Sequence, residues 1–178
     1  MKPSGLKRLL ALEIRASKFG YAAFDGATRL LDWGVSWFGE KKGQLAHTVS
    51  KRIRVLLSLH RPHVVVARGR NYHSTAASRR FAVVVRAIRA ETKRHSARFI
   101  LLSAHKVQRQ FAMRGCTTKH EIATSLAKQF EEISWRLPER RKSYESEAPS
   151  MVIFDAAATG LAFLGRPSRR SDGIRTAS

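Results

Sequence analysis

The chain has 178 residues, 43% of them hydrophobic, and sets 34 Lys and Arg against 13 Asp and Glu for a formal charge of +21. That apolar share excludes a disordered polycation, and no apolar run is long enough to cross a bilayer; the opening Met-Lys-Pro-Ser-Gly has no signal-peptide pattern, so a cytoplasmic protein is expected. So large a positive surplus repels itself unless an anion offsets it, which points to nucleic acid rather than to a membrane, since no basic amphipathic helix or apolar anchor stands out.

The apolar run over residues 9–14 (Leu-Leu-Ala-Leu-Glu-Ile) predicts a buried strand carrying one carboxylate, Glu13, near its end. Phe19 to Phe24 forms a second strand closed by the turn dipeptide Asp25-Gly26. In the third, Leu31, Trp33, Val35 and Trp37 alternate with Asp32, Gly34 and Ser36, which buries one face. Leu45, Val49, Ile53, Leu56 and Leu57 then recur at helical spacing until Pro62, and His63 to Ala67 reads as a fourth, buried strand. Gly69 to Thr75 reads as loop. A helix is predicted over Arg79–Arg94, with Phe81, Val84, Val85 and Ile88 inward, followed by a fifth strand over Phe99–Leu102. A short helix around Val107–Met113 precedes the Gly115-Cys116 break. Thr118 and Glu121 have capping-box spacing for a helix carrying Ile122, Leu126, Phe130 and Ile133. Residues 138–150 read as a polar, mobile loop, Met151–Leu164 as a last helix, and the Arg- and Ser-rich stretch beyond Gly165 as a disordered tail.

Three antiparallel strands followed by strand-helix units predict an α/β fold with a mixed five-stranded sheet and helices on both faces. Residues 1–165 are expected to form that domain and 166–178 a basic tail. Cys116, the single cysteine, excludes an internal disulfide and a Cys-rich zinc site. His60 and His63, either side of Pro62, read as surface residues.

Four segments carry a family resemblance. They are Leu10-Ala-Leu-Glu-Ile-Arg-Ala-Ser-Lys-Phe-Gly-Tyr, Leu31-Asp-Trp-Gly-Val, Arg114-Gly-Cys-Thr-Thr-Lys-His-Glu and Phe154-Asp-Ala-Ala-Ala-Thr-Gly-Leu-Ala. In this order they resemble the RuvC family of Holliday-junction resolvases, on the ribonuclease-H-like fold, over about residues 8–164. The resemblance implies a dimeric, Mg²⁺-dependent (Mn²⁺ as an alternative ion), structure-selective endonuclease acting on branched or duplex DNA. Two metal ions activate a water and stabilise the leaving oxygen, and hard oxygen ligands must converge to hold them.

Mapped onto this chain, the resemblance makes Glu13 and Asp155 the catalytic metal ligands. It also shows departures. Ala158 stands where a second closing-helix acid is expected, and the strand-four acid falls at Ala67 or Arg68. Glu147, in the loop before the last helix, is the best substitute ligand; its plainer reading is a solvated acid balancing Arg140, Arg141 and Lys142. Glu13, an acid inside a run of Leu and Ile, needs a cation to meet, and Arg15 or Lys18 is nearest in sequence. Asp155, in the first turn of a helix, also suits the helix dipole. Lys119, Arg68, Arg70, Arg79 and Arg80 are candidate phosphate contacts, with Arg68 alternatively neutralising Glu13 in a dead site. Tyr72 is the preferred base-stacking aromatic, whereas Phe111 and Trp135 are expected in the core. Two functions therefore stay open: a resolvase-type endonuclease, and a domain of the same shape that binds DNA or RNA without cutting it. An actin-like phosphotransferase shares the opening hairpin but would need a second phosphate loop, which is not found here.

Overall fold

Which strands alternate and which are apolar throughout decides the layering. The computed structural model describes residues 8–39, 42–69, 75–140, 142 and 146–165. Its strands are β1 (Arg8–Ile14), β2 (Lys18–Asp25), β3 (Arg29–Trp37), β4 (Val64–Gly69) and β5 (Arg98–Ser103). Its helices are α1 (Leu45–His60), α2 (Thr75–Arg94), α3 (Ala104–Ala112), α4 (Lys119–Gln129), α5 (Glu131–Ser134) and α6 (Met151–Leu164). The strands form one sheet in the order β3-β2-β1-β4-β5, with β1 to β3 antiparallel and β4 and β5 added in parallel to β1. This is the mixed five-stranded sheet expected from the sequence.

β1 and β4 lie at the centre and are covered on both faces, which is why they read as continuous apolar runs rather than alternating ones. On one face Leu10, Leu12, Ile14, Val65 and Ala67 pack against Val49, Ile53 and Leu57 of α1 and Val84 and Ile88 of α2. On the other, Leu9, Ala11, Val64 and Val66 meet α3, α4, α5 and α6. α6 is buried along residues 151–162, as a helix apolar all round must be. Its small residues let it lie close on the sheet. A Cβ on Gly160 would stand 2.6 Å from the Phe24 ring.

Several expectations are corrected. α2 starts at Thr75, four residues before the predicted start, because Thr-Ala-Ala-Ser is compatible with a helix. The helix expected from Thr118 through Ile133 breaks at Phe130, whose backbone turns extended (φ −125°, ψ 98°) and whose ring is buried against Phe24 with centroids 5.7 Å apart. Burying that ring costs the helix one residue, and the chain restarts as the single turn of α5. Phe111 is in the core as expected, but Trp135 is 67% exposed, leaning edge-on to Trp33 with the Arg136 guanidinium over its ring at 4.1 Å. His60 is buried rather than on the surface, its Nε2 lying 3.0 Å from Asp32 Oδ2, while His63 is exposed.

A second buried acid ties α2 to α1. Glu91 accepts from Arg54 Nε at 3.2 Å and Nη2 at 3.0 Å, and from Arg94 Nη1 at 2.6 Å. These partners, the Arg54 hydrogen bond foremost, hold the Glu91 carboxyl below its ordinary range against the opposing effect of burial. A carboxyl lowered on folding supports the fold above its unfolded pKa and withdraws that support as pH falls through the folded value. Stability is therefore expected to decline below about pH 4.3, and Glu91→Gln to flatten that acid limb. Urea unfolding from about pH 6 down to about pH 3 tests this; an unchanged limb in the variant rules out Glu91 as its source.

Candidate functional site

Parallel pairing of β1 with β4 sets Leu12 beside Ala67, so the next residues, Glu13 and Arg68, emerge side by side at the C-terminal edge of the sheet. Arg15 follows directly on β1, and its guanidinium turns back to within 3.4 Å of Glu13. The third contributor comes from α6. Gly20 of β2 is the register partner of Glu13, and a Cβ on it would collide with the backbone carbonyl of Val152. Without that side chain the helix sits directly on the sheet, which brings Asp155 to the same edge.

Among the described residues, three cations and three carboxylates meet there. Arg68 faces Glu13 with two nitrogens, Nε 2.7 Å from Oε2 and Nη2 2.8 Å from Oε1, and its Nη2 lies 3.3 Å from Asp155 Oδ2. Arg15 reaches Asp155 Oδ2 at 2.5 Å, Glu147 Oε2 at 2.9 Å and Glu13 Oε1 at 3.4 Å. Lys119 Nζ lies 3.5 Å from Asp155 Oδ2 and pairs with Glu147 Oε1. The cluster has depth: Glu13, Arg68 and Asp155 are buried, whereas Glu147 and Lys119 stand at the rim with side chains 34% and 46% exposed.

Burial alone would lower the Arg68 guanidinium, but Glu13, Asp155 and Glu147 together keep its pKa above the usual value. Burial raises the Asp155 carboxyl; Arg68 pulls it down and Glu13 pushes it up, and it remains raised despite Lys119 and Arg15. Lys119 is fixed by the start of α4. Thr118 accepts from the Glu121 amide at 3.2 Å, and Glu121 in return accepts from the amides of Thr118 at 3.0 Å and Thr117 at 2.7 Å. These bonds hold the Glu121 carboxyl down at about 2. A groove of about 920 Å³ opens outward from Lys119 and Glu147, and His120, Arg140 and Lys142 also line it.

The sequence-predicted residues thus divide. Glu13, Asp155, Glu147, Lys119 and Arg68 come together at one place. Arg79 is exposed on α2. Arg80 donates to the carbonyls of Ala16 and Gly39, each at 2.6 Å, so it braces the β1–β2 turn and the end of β3. Arg70 and Tyr72 lie outside the described residues, as does the tail from 166 to 178. Arg15 is the residue that sequence reading undervalued. Its position two residues beyond Glu13 gave the signal, but its reach to Asp155 and Glu147 depends on α6.

A divalent-metal pair would need these carboxylates facing empty space or water. Both oxygens of Glu13 instead face Arg68, and Oδ2 of Asp155 faces three cations. Among the described residues no group of three or more His, Cys, Asp or Glu is placed to hold a metal. A metal ion would have to displace a buried guanidinium that already neutralises its ligands, so the donor set does not fit the Mg²⁺ pair that the resemblance implies.

No protein-family model matches the sequence, and no curated protein matches it either. Shape comparison gives clear likenesses. RuvC of T. thermophilus, solved in complex with a Holliday junction substrate, superposes with a TM-score of 0.68 at 14% identity, covering 88% of this chain and 91% of that one. The yeast mitochondrial Holliday junction resolvase gives 0.65 at 14% identity over 89% of this chain and 79% of its own. The fowlpox virus resolvase, solved with Holliday junction DNA, gives 0.52 at 12% identity over 88% and 96%. The fold is that of the RuvC-like Holliday-junction resolvases. Among the described residues no helix is long and apolar enough to cross a membrane.

Proposed function

We propose that this chain is a nucleic-acid-binding protein on the RuvC-like fold that holds branched or duplex DNA without cutting it. One observation carries the reading: the Arg68 guanidinium lies between Glu13 and Asp155, at the edge where the resemblance calls for metal ions. A fixed cation balances the buried carboxylates without supplying an activated water, so binding can persist where hydrolysis cannot. The +21 charge supports a polyanionic ligand. Lys119 beside its groove, and the exposed Arg79 on α2, are the backbone contacts we assign. Cytoplasmic location and a homodimer belong to the same proposal.

The second reading, a Mg²⁺- or Mn²⁺-dependent endonuclease, draws on the convergence of Glu13, Glu147 and Asp155 around Arg15. A four-way junction and a linear duplex, each incubated with Mg²⁺, Mn²⁺ or EDTA, separate the two. Salt-sensitive binding that EDTA leaves unchanged, with intact strands, is expected. Metal-dependent nicking abolished by Glu13→Gln and by Asp155→Asn would establish the nuclease instead. In the binding assay, Lys119→Ala is expected to weaken all sequences alike and to reduce the salt slope by about one; an unaltered slope removes Lys119 from the interface.

A further inference from the structure

Among the described residues, Glu147 is the one carboxylate of the ion cluster outside the strands and helices, on the short stretch that leads into α6. Its two carboxylate oxygens are divided between two cations from distant parts of the chain. Oε2 is 2.9 Å from Arg15 Nη2, and Oε1 is on Lys119 Nζ. The buried carboxylates have cation partners apart from it, since Glu13 pairs with Arg68, and Asp155 with Arg15 and Arg68. Glu147 lines the groove, whose other charged lining includes Lys119, Arg140 and Lys142 as well as Glu139. A carboxylate and a phosphodiester carry the same single negative charge and present two acceptor oxygens at similar spacing, so they suit the same pair of donors.

We infer that Arg15 and Lys119 form a seat for one phosphodiester of a nucleic-acid strand, and that Glu147 occupies this seat until the strand displaces it. This rests on the reading of the protein as a nucleic-acid binder and adds a competitive latch to it. The partial exposure of Glu147 and Lys119 makes the exchange feasible, because an ion pair open to water is weak and readily given up. Giving up two such pairs lowers the apparent affinity for the incoming strand by about three- to tenfold.

Glu147→Gln keeps the shape and the acceptor oxygen but removes the charge. The test measures binding of a fluorescently labelled duplex of about 20 base pairs at fixed ionic strength by the wild type, by Glu147→Gln, and by Glu132→Gln, which deletes one negative charge from an exposed position on α5. Glu147→Gln is expected to bind about three- to tenfold more tightly and Glu132→Gln to stay within about twofold of the wild type. In a Lys119→Ala background most of the gain from Glu147→Gln is expected to vanish, because the two changes share one seat. If the wild type binds neither this duplex nor a four-way junction with arms of the same sequence, the underlying functional reading fails. If the wild type binds but Glu147→Gln gains no more than Glu132→Gln, the latch is overturned while the reading stands. A gain that survives intact in the Lys119→Ala background overturns the assigned seat.

Discussion

Replacing Arg68 by alanine is expected to lower the unfolding free energy by about 3–5 kcal/mol, the usual cost of leaving a buried charge without its partner. Glu13 has no solvent exposure, and Arg68 approaches both of its oxygens; among the described residues a second cation, Arg15 Nε, is 3.4 Å away and shared with Asp155. For a chain of this size each kcal/mol moves the melting temperature by about 2–4 °C, so a drop on the order of 10 °C should appear in a thermal melt. The paired change Glu13→Leu with Arg68→Met removes both charges and fills similar volume. It is expected to cost far less than Arg68→Ala alone, because desolvation of the ions then disappears along with their attraction. A loss below about 1 kcal/mol in Arg68→Ala would mean that the pair is solvated and the cluster is not the closed unit described above.

The second large effect is expected at Gly20. An added methyl there meets the backbone carbonyl of Val152, and α6 cannot yield locally because it is buried from Met151 to Ala162. Overpacking against backbone costs about 1–3 kcal/mol, and more where nothing can move aside. Gly20→Ala is therefore expected at the upper end of that range or beyond. It should also loosen the contact of Asp155 with Arg15, since the whole helix start must lift. Gly69→Ala is the comparison: its added methyl meets only the Leu102 carbonyl, 3.7 Å away. Equal stabilities of the two variants in urea denaturation would show that α6 does not depend on Gly20 for its seat.

The fold was legible because its signals are local. Alternation in β3, unbroken apolar runs in β1 and β4, and the Thr118–Glu121 capping box each follow from spacing alone. The site was legible in part. Glu13, Asp155, Lys119, Arg68 and Glu147 were singled out, but sequence could not tell whether the carboxylates faced one another or faced cations. That depends on how close α6 lies to β2, a tertiary fact set by Gly20 and by the small residues of α6. The Phe130 break was hidden for a similar reason, since its cause is the Phe24 ring about a hundred residues earlier. Trp135 was misjudged because an aromatic at helical spacing normally points inward; the chain turns after α5, and the indole turns outward with it. The Glu91–Arg54 clamp gave no signal, since two opposite charges far apart in sequence look like ordinary surface residues.

Among the described residues the ionic cluster at the sheet edge is electrically balanced, with Arg15, Arg68 and Lys119 cancelling Glu13, Glu147 and Asp155. The surplus of +21 is therefore carried by side chains other than these six. Long-range attraction of a polyanion is then drawn from the rest of the exterior, including the exposed faces of α1 and α2, rather than from these six side chains. On the proposed function, capture and docking become separable steps: a strand would first be gathered loosely from any direction, hopping or sliding, and would reach the groove beside Lys119 only afterwards. Raising ionic strength should then act mostly on the gathering step, seen as a slower association rate with a smaller change in dissociation.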